Sequence, residues 1–547
     1  MITASLAAIA MSTAADIPPD FAERAQAILD QSYDADAPGA VAIVVDDGKV
    51  VFEAGRGLAD IEKGTPITPD TVFRYASITK QFTAATILQL VAEGDVELDA
   101  AVSRYLPEYG GEAGKATIRQ LLNHTSGIMS YTNIPNFREP ENMASPKTTA
   151  EMMALIAAQE MPAAHGDRMA YNNSAYVLLG AVIERLSGTN WDVAIRERIA
   201  APLGLASLTS GVYEGGIAAM ATGYGKEDDQ YVAAETIHMS LPHAAGALVG
   251  TAGDLATWAQ ALHSGRVVSA PLYAQMIAPT TLADGDTSPF GFGLSNSEVR
   301  GTATIGHSGG IPGFSTDSLY MPDEDVFVAV LANSNSPKTD PSFVMKSLAA
   351  LAIGNPYPVY EEQPLDLDGL ESFLGRYDWD GRTRDLFVED GKLFTQRDGS
   401  QKLEVKYAGD GIYYYGPDSA TFFTLADADG EKTLVFHPEG AEKGEPGTRI
   451  GDVPEGPEFV DVSTLDVAPL LGVYEWPIGK FTVAQDVEGN VTGLLAGQST
   501  EILQPASLTE WHVPHLGAVL TFTMEDGEAV SLHLKQGPAE MDGPKVD

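Results

Sequence analysis

The spacing of apolar positions changes character along the chain. Residues 20–32 carry apolar side chains at helical intervals and predict a short amphipathic helix. Residues 41–45 and 50–52 are β-branched runs joined by Asp46, Asp47 and Gly48, which predicts a hairpin. From residue 77 to about 203 helical patterns dominate, most clearly at Ala175, Tyr176, Leu178, Leu179, Val182 and Ile183. Leu319, Tyr320 and residues 327–331 then flank Pro322, Asp323, Glu324 and Asp325 as a second hairpin. Strands at both ends of a helical middle predict an antiparallel sheet with an inserted all-α lobe.

Gly354, Asn355, Pro356, Tyr357 and Pro358, with the acidic stretch after them, break this pattern and read as a linker. Beyond it, short alternating strands punctuated by Gly and Asp run almost to the end. This region repeats itself: Leu374, Gly375, Arg376, Tyr377, Asp378, Trp379 returns 97 residues later as Leu471, Gly472, Val473, Tyr474, Glu475, Trp476. Each copy continues into strand, turn and strand, which predicts two small antiparallel β-barrel domains. The expected organisation is a signal-like segment at 1–15, a catalytic domain at 16–355, and β-barrels at 366–453 and 464–547.

Composition narrows the partners. The 33 Lys and Arg against 76 Asp and Glu give a formal charge of −43 across 547 residues, which repels nucleic acid and anionic membranes. No run approaches the length needed to span a bilayer, so no membrane insertion is expected. With no cysteine, disulfides, thiolate metal sites and cysteine nucleophiles are excluded together. The apolar start, ending in a small-x-small pattern at residues 10–15, points to a periplasmic or secreted protein and otherwise a cytoplasmic one. The sequence sets no oligomeric state.

Ser77 and Lys80 lie three apart at the head of an apolar helical pattern (Phe82, Ala85, Ile87, Leu88, Leu90, Val91). Positions i and i+3 share a helix face, so an amine sits beside a hydroxyl and can take its proton. An ordinary lysine is protonated at neutral pH; burial and neighbouring positive charge are expected to lower its pKa. Two further segments are suited to complete such a pair. Tyr171, Asn172 and Asn173 precede a helix, and Gly306, His307, Ser308, Gly309 and Gly310 follow the strand-like residues 302–305.

In that order, Ser77-x-x-Lys80, Tyr171-x-Asn173 and His307-x-Gly309 resemble the penicillin-recognising serine hydrolases, which include DD-peptidases, class C-type β-lactamases, D-aminopeptidases and related esterases. Leu121 to Gly127, and the segment from Gly246 to Leu255, look like further motifs of that family, so the resemblance covers roughly residues 20 to 350. It implies an α+β β-lactamase/DD-peptidase-like catalytic domain, an antiparallel sheet flanked by helices plus an all-α lobe. It also implies roles: Ser77 is acylated, Lys80 accepts the proton, Tyr171 shares or relays it, and Asn173 orients Lys80 and the substrate. His307 stands where β-lactamases have lysine, and the N–H groups of Ser77 and Gly310 form an oxyanion hole, with Gly309 beside them. His124 is expected to be structural.

The residues from Gly306 to Gly310 also match the G-x-S-x-G nucleophile elbow, which would make Ser308 the acylated residue. That elbow needs a helix directly after the serine, whereas Gly310 to Gly313 read as more strand. A histidine is mostly neutral above about pH 6.5 and cannot hold an antibiotic carboxylate with a permanent charge. Small peptides, amides or esters are therefore the expected substrates, and within the family the motif placing, length and acidity look most like a peptidase of ring-opened cyclic peptides. A carboxylesterase or a D-aminopeptidase/DD-peptidase on the same scaffold, and a penicillin-binding cell-wall sensor, are the alternatives. Neither a metal constellation nor a phosphate-cradling glycine motif is present, so no cofactor is implied.

Overall fold

The strand Ala40–Asp46 explains the layering of the first half of the molecule. Successive side chains of a strand point to opposite faces. Val41, Ile43 and Val45 enter one core with the helical lobe, while Ala40, Ala42 and Val44 enter another with the terminal helices Phe21–Ser32 and Pro341–Ala352. Its neighbour Val326–Ala332 divides in the same way and is buried throughout. An uninterrupted run of β-branched and small residues thus reads as a strand covered on both faces.

A computed structural model describes residues 17–546, apart from 228, 429, 496–499 and 538; the signal-like segment falls outside them. Contacts divide the chain into two compact units, Met1–Tyr357 and Pro358–Asp547. In the first, the sheet runs Ser295–Val299, Thr302–Gly306, Phe314–Met321, Val326–Ala332, Ala40–Asp46, Lys49–Arg56, with Gly309–Ile311 pairing onto Phe314–Met321. All its pairings are antiparallel. The two predicted hairpins are both in it, across Asp47–Gly48 and residues 322–325.

The lobe is built on the helices Thr79–Glu93 and Asn173–Ser187. Thr79 to Leu88 are all buried, so this helix is a core element on every side. Its polar residues are tied internally: Thr83 Oγ1 donates to the Ala244 carbonyl at 2.7 Å, and Thr79 Oγ1 accepts the Leu248 N–H at 3.0 Å. Gly94, at φ +85°, ends the helix in the left-handed conformation that glycine adopts without steric cost.

In the second unit, eight antiparallel strands from Gly375–Trp379 to Glu445–Gly451 close into a barrel. The repeat continues in three dimensions. Tyr377 and Tyr474, 97 residues apart, each donate a hydroxyl four residues back, to the Phe373 carbonyl at 2.6 Å and the Leu470 carbonyl at 2.7 Å. The expected second barrel, however, is a four-stranded and a five-stranded sheet sharing one core around Trp476, Trp511 and Leu532. The ladder changes sheet at Leu503, whose N–H turns back to Val491, while Gln504–Pro505 pair forward onto His512 and Trp511. Pro505 has no N–H to carry a continuous ladder. Among the described residues, the bridge of Tyr474 to Lys545 and the hydrogen bond from the Val546 N–H to the Val473 carbonyl at 2.8 Å link the outer strands.

Candidate active site

Ser77 sits in a tight turn, Ala76–Ile78, directly ahead of the Thr79–Glu93 helix. The strand Phe73–Arg74 pairs with Leu248–Gly250, and the Tyr75 hydroxyl donates to the Thr251 carbonyl at 2.6 Å, so the approach to the turn is fixed at both edges. Ala76 is held at φ +48°, where a side chain is unfavourable by about 1–2 kcal/mol. Such a conformation persists only where its surroundings impose it.

Lys80 follows one turn later and is fully buried. Its Nζ lies 3.0 Å from Ser77 Oγ, 2.8 Å from Asn173 Oδ1 and 2.8 Å from the Ala245 carbonyl. No carboxylate balances it among the described residues, and burial holds its pKa well below the ordinary lysine value. The expected second cause, neighbouring positive charge, is not needed. As an amine, Lys80 has two N–H groups for Asn173 and Ala245 and one lone pair for the Ser77 hydroxyl, so three neighbours satisfy three functions.

Asn173 opens the second lobe helix, but the cap is its neighbour. Asn172 Oδ1 accepts the Ala175 N–H at 3.0 Å, leaving the Asn173 side chain free to face Lys80. His124, at φ +62°, holds this loop: its Nδ1 accepts the Asn172 N–H at 3.1 Å, and its carbonyl accepts the Ala170 N–H at 2.9 Å. The expected structural role therefore has a geometry.

Between these anchors lies Tyr171, with 37% of its surface open to solvent and its ring 4.8 Å under Lys80 Nζ. Its hydroxyl end is buried beside Ser77, and that burial raises its pKa. A phenol that holds its proton can donate one, and a neutral amine can accept one.

His307 is 6% exposed, with its ring 5.9 Å from that of Tyr171. Its Nδ1–H donates to the Ser308 carbonyl at 2.5 Å. Burial, with Lys80 nearby, pushes its pKa down to about 3, so it is neutral far below the expected pH 6.5. Gly309 packs its α-carbon against the Ser77 turn: an added Cβ would lie 2.4 Å from the Tyr75 carbonyl oxygen and 2.4 Å from Thr316 Oγ1. Gly310 faces open space. Both lie on the strand Gly309–Ile311, and no helix follows Ser308, so the nucleophile-elbow reading fails.

Ala245 is the site residue that sequence reasoning missed. Its carbonyl is aimed by a short helix, His243–Gly246, that packs on Asn173–Ser187 at Gly180, where a Cβ would strike the His243 ring at 2.6 Å. A helical glycine amid good helix formers was the available signal.

A family described as Beta-lactamase matches residues 21–349. A D-aminopeptidase of Brucella ovis is 28% identical over 331 residues, 59% of this chain and 61% of its own length, so the chain matches about three fifths of such relatives. The D-amino acid amidase of Ochrobactrum anthropi SV3, complexed with L-phenylalanine amide, is 28% identical with a TM-score of 0.53, covering 61% of this chain and 96% of that one. The octameric penicillin-binding protein homologue of Pyrococcus abyssi, 24% identical, aligns with a TM-score of 0.55 over 79% of this chain and 99% of its own.

Proposed function

Because the chain belongs to the Beta-lactamase family, we propose that it is a serine peptidase acting through an acyl-enzyme on short linear peptides that contain D-residues. One observation carries the chemistry: a buried amine 3.0 Å from a serine hydroxyl, with its other hydrogens already engaged. Lys80 takes the Ser77 proton as Oγ bonds to the carbonyl carbon. The resulting oxyanion is met by the N–H groups of Ser77 and Gly310, donors whose individual removal costs about 10²- to 10³-fold in rate in comparable sites. Tyr171 gives its proton to the leaving nitrogen as the C–N bond breaks and regains from Lys80 the proton first taken from Ser77. Water then splits the ester, releasing the acid and restoring the Ser77 hydroxyl.

The similarity to a D-aminopeptidase and a D-amino acid amidase supports substrates with D-residues. A neutral His307 supports uncharged groups at its position in place of an antibiotic carboxylate. Length, acidity and motif placing further support linearised microcystin, cut after D-alanine to release a tetrapeptide, as the particular substrate.

The test is mass spectrometry of products from linear peptides that differ only in the handedness of one residue. Cleavage after D-alanine, absent from the L-alanine peptide and lost in a folded Ser77→Ala variant, is expected. Undiminished turnover by Ser77→Ala refutes the mechanism. Preference for a short-chain ester would make the chain a carboxylesterase, and stable acylation by a penicillin without peptide turnover would make it a sensor.

A further inference from the structure

In a chain with more than twice as many acidic as basic residues, three arginines of the second unit share one place without carboxylate partners among the described residues. Arg382 and Arg384 lie two apart on the strand Arg382–Glu389, so their side chains leave the same face. Arg397, on the neighbouring strand, is directly opposite Arg384 in the register. Like charges at directly opposed positions destabilise a ladder. Elsewhere Arg74, Arg119, Arg198, Arg376 and Arg449 each meet a carboxylate.

These three arginines line a half-open cavity of about 670 Å³ within the second unit, with Trp379, Phe436 and Lys535. Arg384 is partly buried and its Cζ lies 4.7 Å over the Phe436 ring. Its Nη1 donates to Thr395 Oγ1 at 3.1 Å and to the Tyr415 hydroxyl at 3.2 Å. Both partners are neutral, and the hydrogens on Nε and Nη2 have no partner among the described residues. Burial lowers its pKa, and Arg397 adds to the shift. A guanidinium cannot relieve that cost by losing its proton.

The two carboxylates in the lining do not cancel this charge. Asp398 is taken by Arg376 at 2.9 Å and by Thr383 Oγ1 at 2.6 Å. Glu445 gives its backbone carbonyl to Trp379 Nε1 at 3.0 Å, and among the described residues no ion pair joins its side chain to an arginine of the cavity. Lys535 pairs with Glu540 at 3.3 Å. The opposite wall is brought up by backbone: a Cβ on Gly399 would lie 2.0 Å from the Gly537 nitrogen. Open forks of donors suit planar oxyanions bidentately, and the two rings offer an apolar face beside them.

We propose that this cavity is a second ligand site, independent of Ser77, for a short acidic peptide whose carboxylates sit on Arg382, Arg384 and Arg397 and whose apolar side chain lies against Trp379 and Phe436. The chain's overall negative charge repels extended polyanions, whereas a short ligand meets the local field of the cavity.

The experiment is calorimetric titration of the full-length Ser77→Ala protein, which prevents turnover, with N-acetyl-Phe-Glu-Glu, its Phe-Gln-Gln isostere, and inorganic phosphate. Saturable binding of the acidic peptide is expected, weakened about tenfold or more by Arg397→Gln or Arg382→Gln and by raising salt from about 50 to about 500 mM. Both arginines are exposed, so these variants are expected to fold. The same affinity for the Gln isostere, or no change in either arginine variant, overturns the proposal. Phosphate binding as tightly as the peptide overturns the peptide assignment in favour of a simple anion site. Wild type, titrated with the same all-L peptide after mass spectrometry has shown it to survive uncut, is expected to bind it with the affinity of the Ser77→Ala protein. A clear difference between the two would put the peptide at Ser77 and overturn a separate site.

Discussion

Lys80 and Arg384 are both basic side chains drawn out of water with no carboxylate partner among the described residues, one in each unit, and their chemistry diverges from there. Desolvation penalises the charged form of each. A lysine answers by releasing its proton and becomes a base. An arginine keeps its charge under any ordinary condition and must wait for an anion. The same physical cost therefore suits the proposed base in the first unit and the proposed ligand site in the second. The sharpest way to break this comparison is to exchange the chemistry at Lys80. Lys80→Arg preserves a cation that cannot act as base, so kcat/KM is expected to fall by about 10³- to 10⁴-fold, with a lower Tm because the larger charge stays buried. Lys80→Met is expected to be equally inactive yet more stable than wild type at neutral pH. An arginine variant within about tenfold of wild-type activity would remove the amine from the mechanism.

Gly309→Ala tests how the Ser77 turn is held. Its Cβ would press on the Tyr75 carbonyl and Thr316, neither of which is the loose end of a flexible chain. A loss of about 1–3 kcal/mol in urea unfolding is expected, together with a lower kcat as the Ser77 turn shifts away from Lys80. Gly310→Ala, with open space at the next position along the strand, is the control and is expected to leave stability within about 0.5 kcal/mol. Equal effects at the two glycines would detach the close approach from catalysis.

These positions also show how far the chain could be read before its structure was known. Both hairpins of the first sheet were legible because β-branched runs end in Asp-Gly or Pro-Asp turns. The pairs Ser77 with Lys80, Tyr171 with Asn173 and His307 with Gly309 were legible as spaced residue types. Their convergence depends on backbone that carries no side-chain signature: the Ala245 carbonyl, the positive φ of Ala76, and the close approaches at Gly180 and Gly309. The repeat at Tyr377 and Tyr474 survives as paired hydroxyl-to-carbonyl hydrogen bonds, yet the barrel expected of the second copy is replaced by two sheets, because the outcome turns on where one strand changes partner near Leu503 and Pro505. The arginine cavity was hidden by the overall charge, which averages a local excess away.

Acid sharpens the contrast from the first unit's side. His307 and His263 are both held neutral by burial, each with its pKa pushed down to about 3. Unfolded, each titrates near about 6.5. The folded state binds fewer protons between those values, so its stability is full above about pH 6.5 and is lost as pH falls toward about 3. Urea midpoints measured at about pH 7, 5.5 and 4 are expected to decline, and His307→Gln is expected to make that decline shallower. An unchanged slope in the variant would mean that His307 takes up its proton without disturbing the fold.

The smallest effect separates the two cations most directly. Arg384→Met replaces a partly buried charge, which meets no carboxylate among the described residues, with an apolar side chain of similar length against Phe436. In the absence of ligand it is expected to stabilise the protein by about 1 kcal/mol. Its dependence on pH is more informative than its size. Arginine is charged in both the folded and the unfolded chain across the accessible range, so the gain from Arg384→Met is expected to stay constant from about pH 7 to 10. Lys80 differs: its folded pKa is depressed, so wild-type stability rises with pH until the unfolded lysine also loses its proton near about 10.4. The gain from Lys80→Met is therefore expected to shrink over the same interval. Parallel curves for the two variants would show that Lys80 keeps its proton in the folded protein, and the base would have to be sought elsewhere.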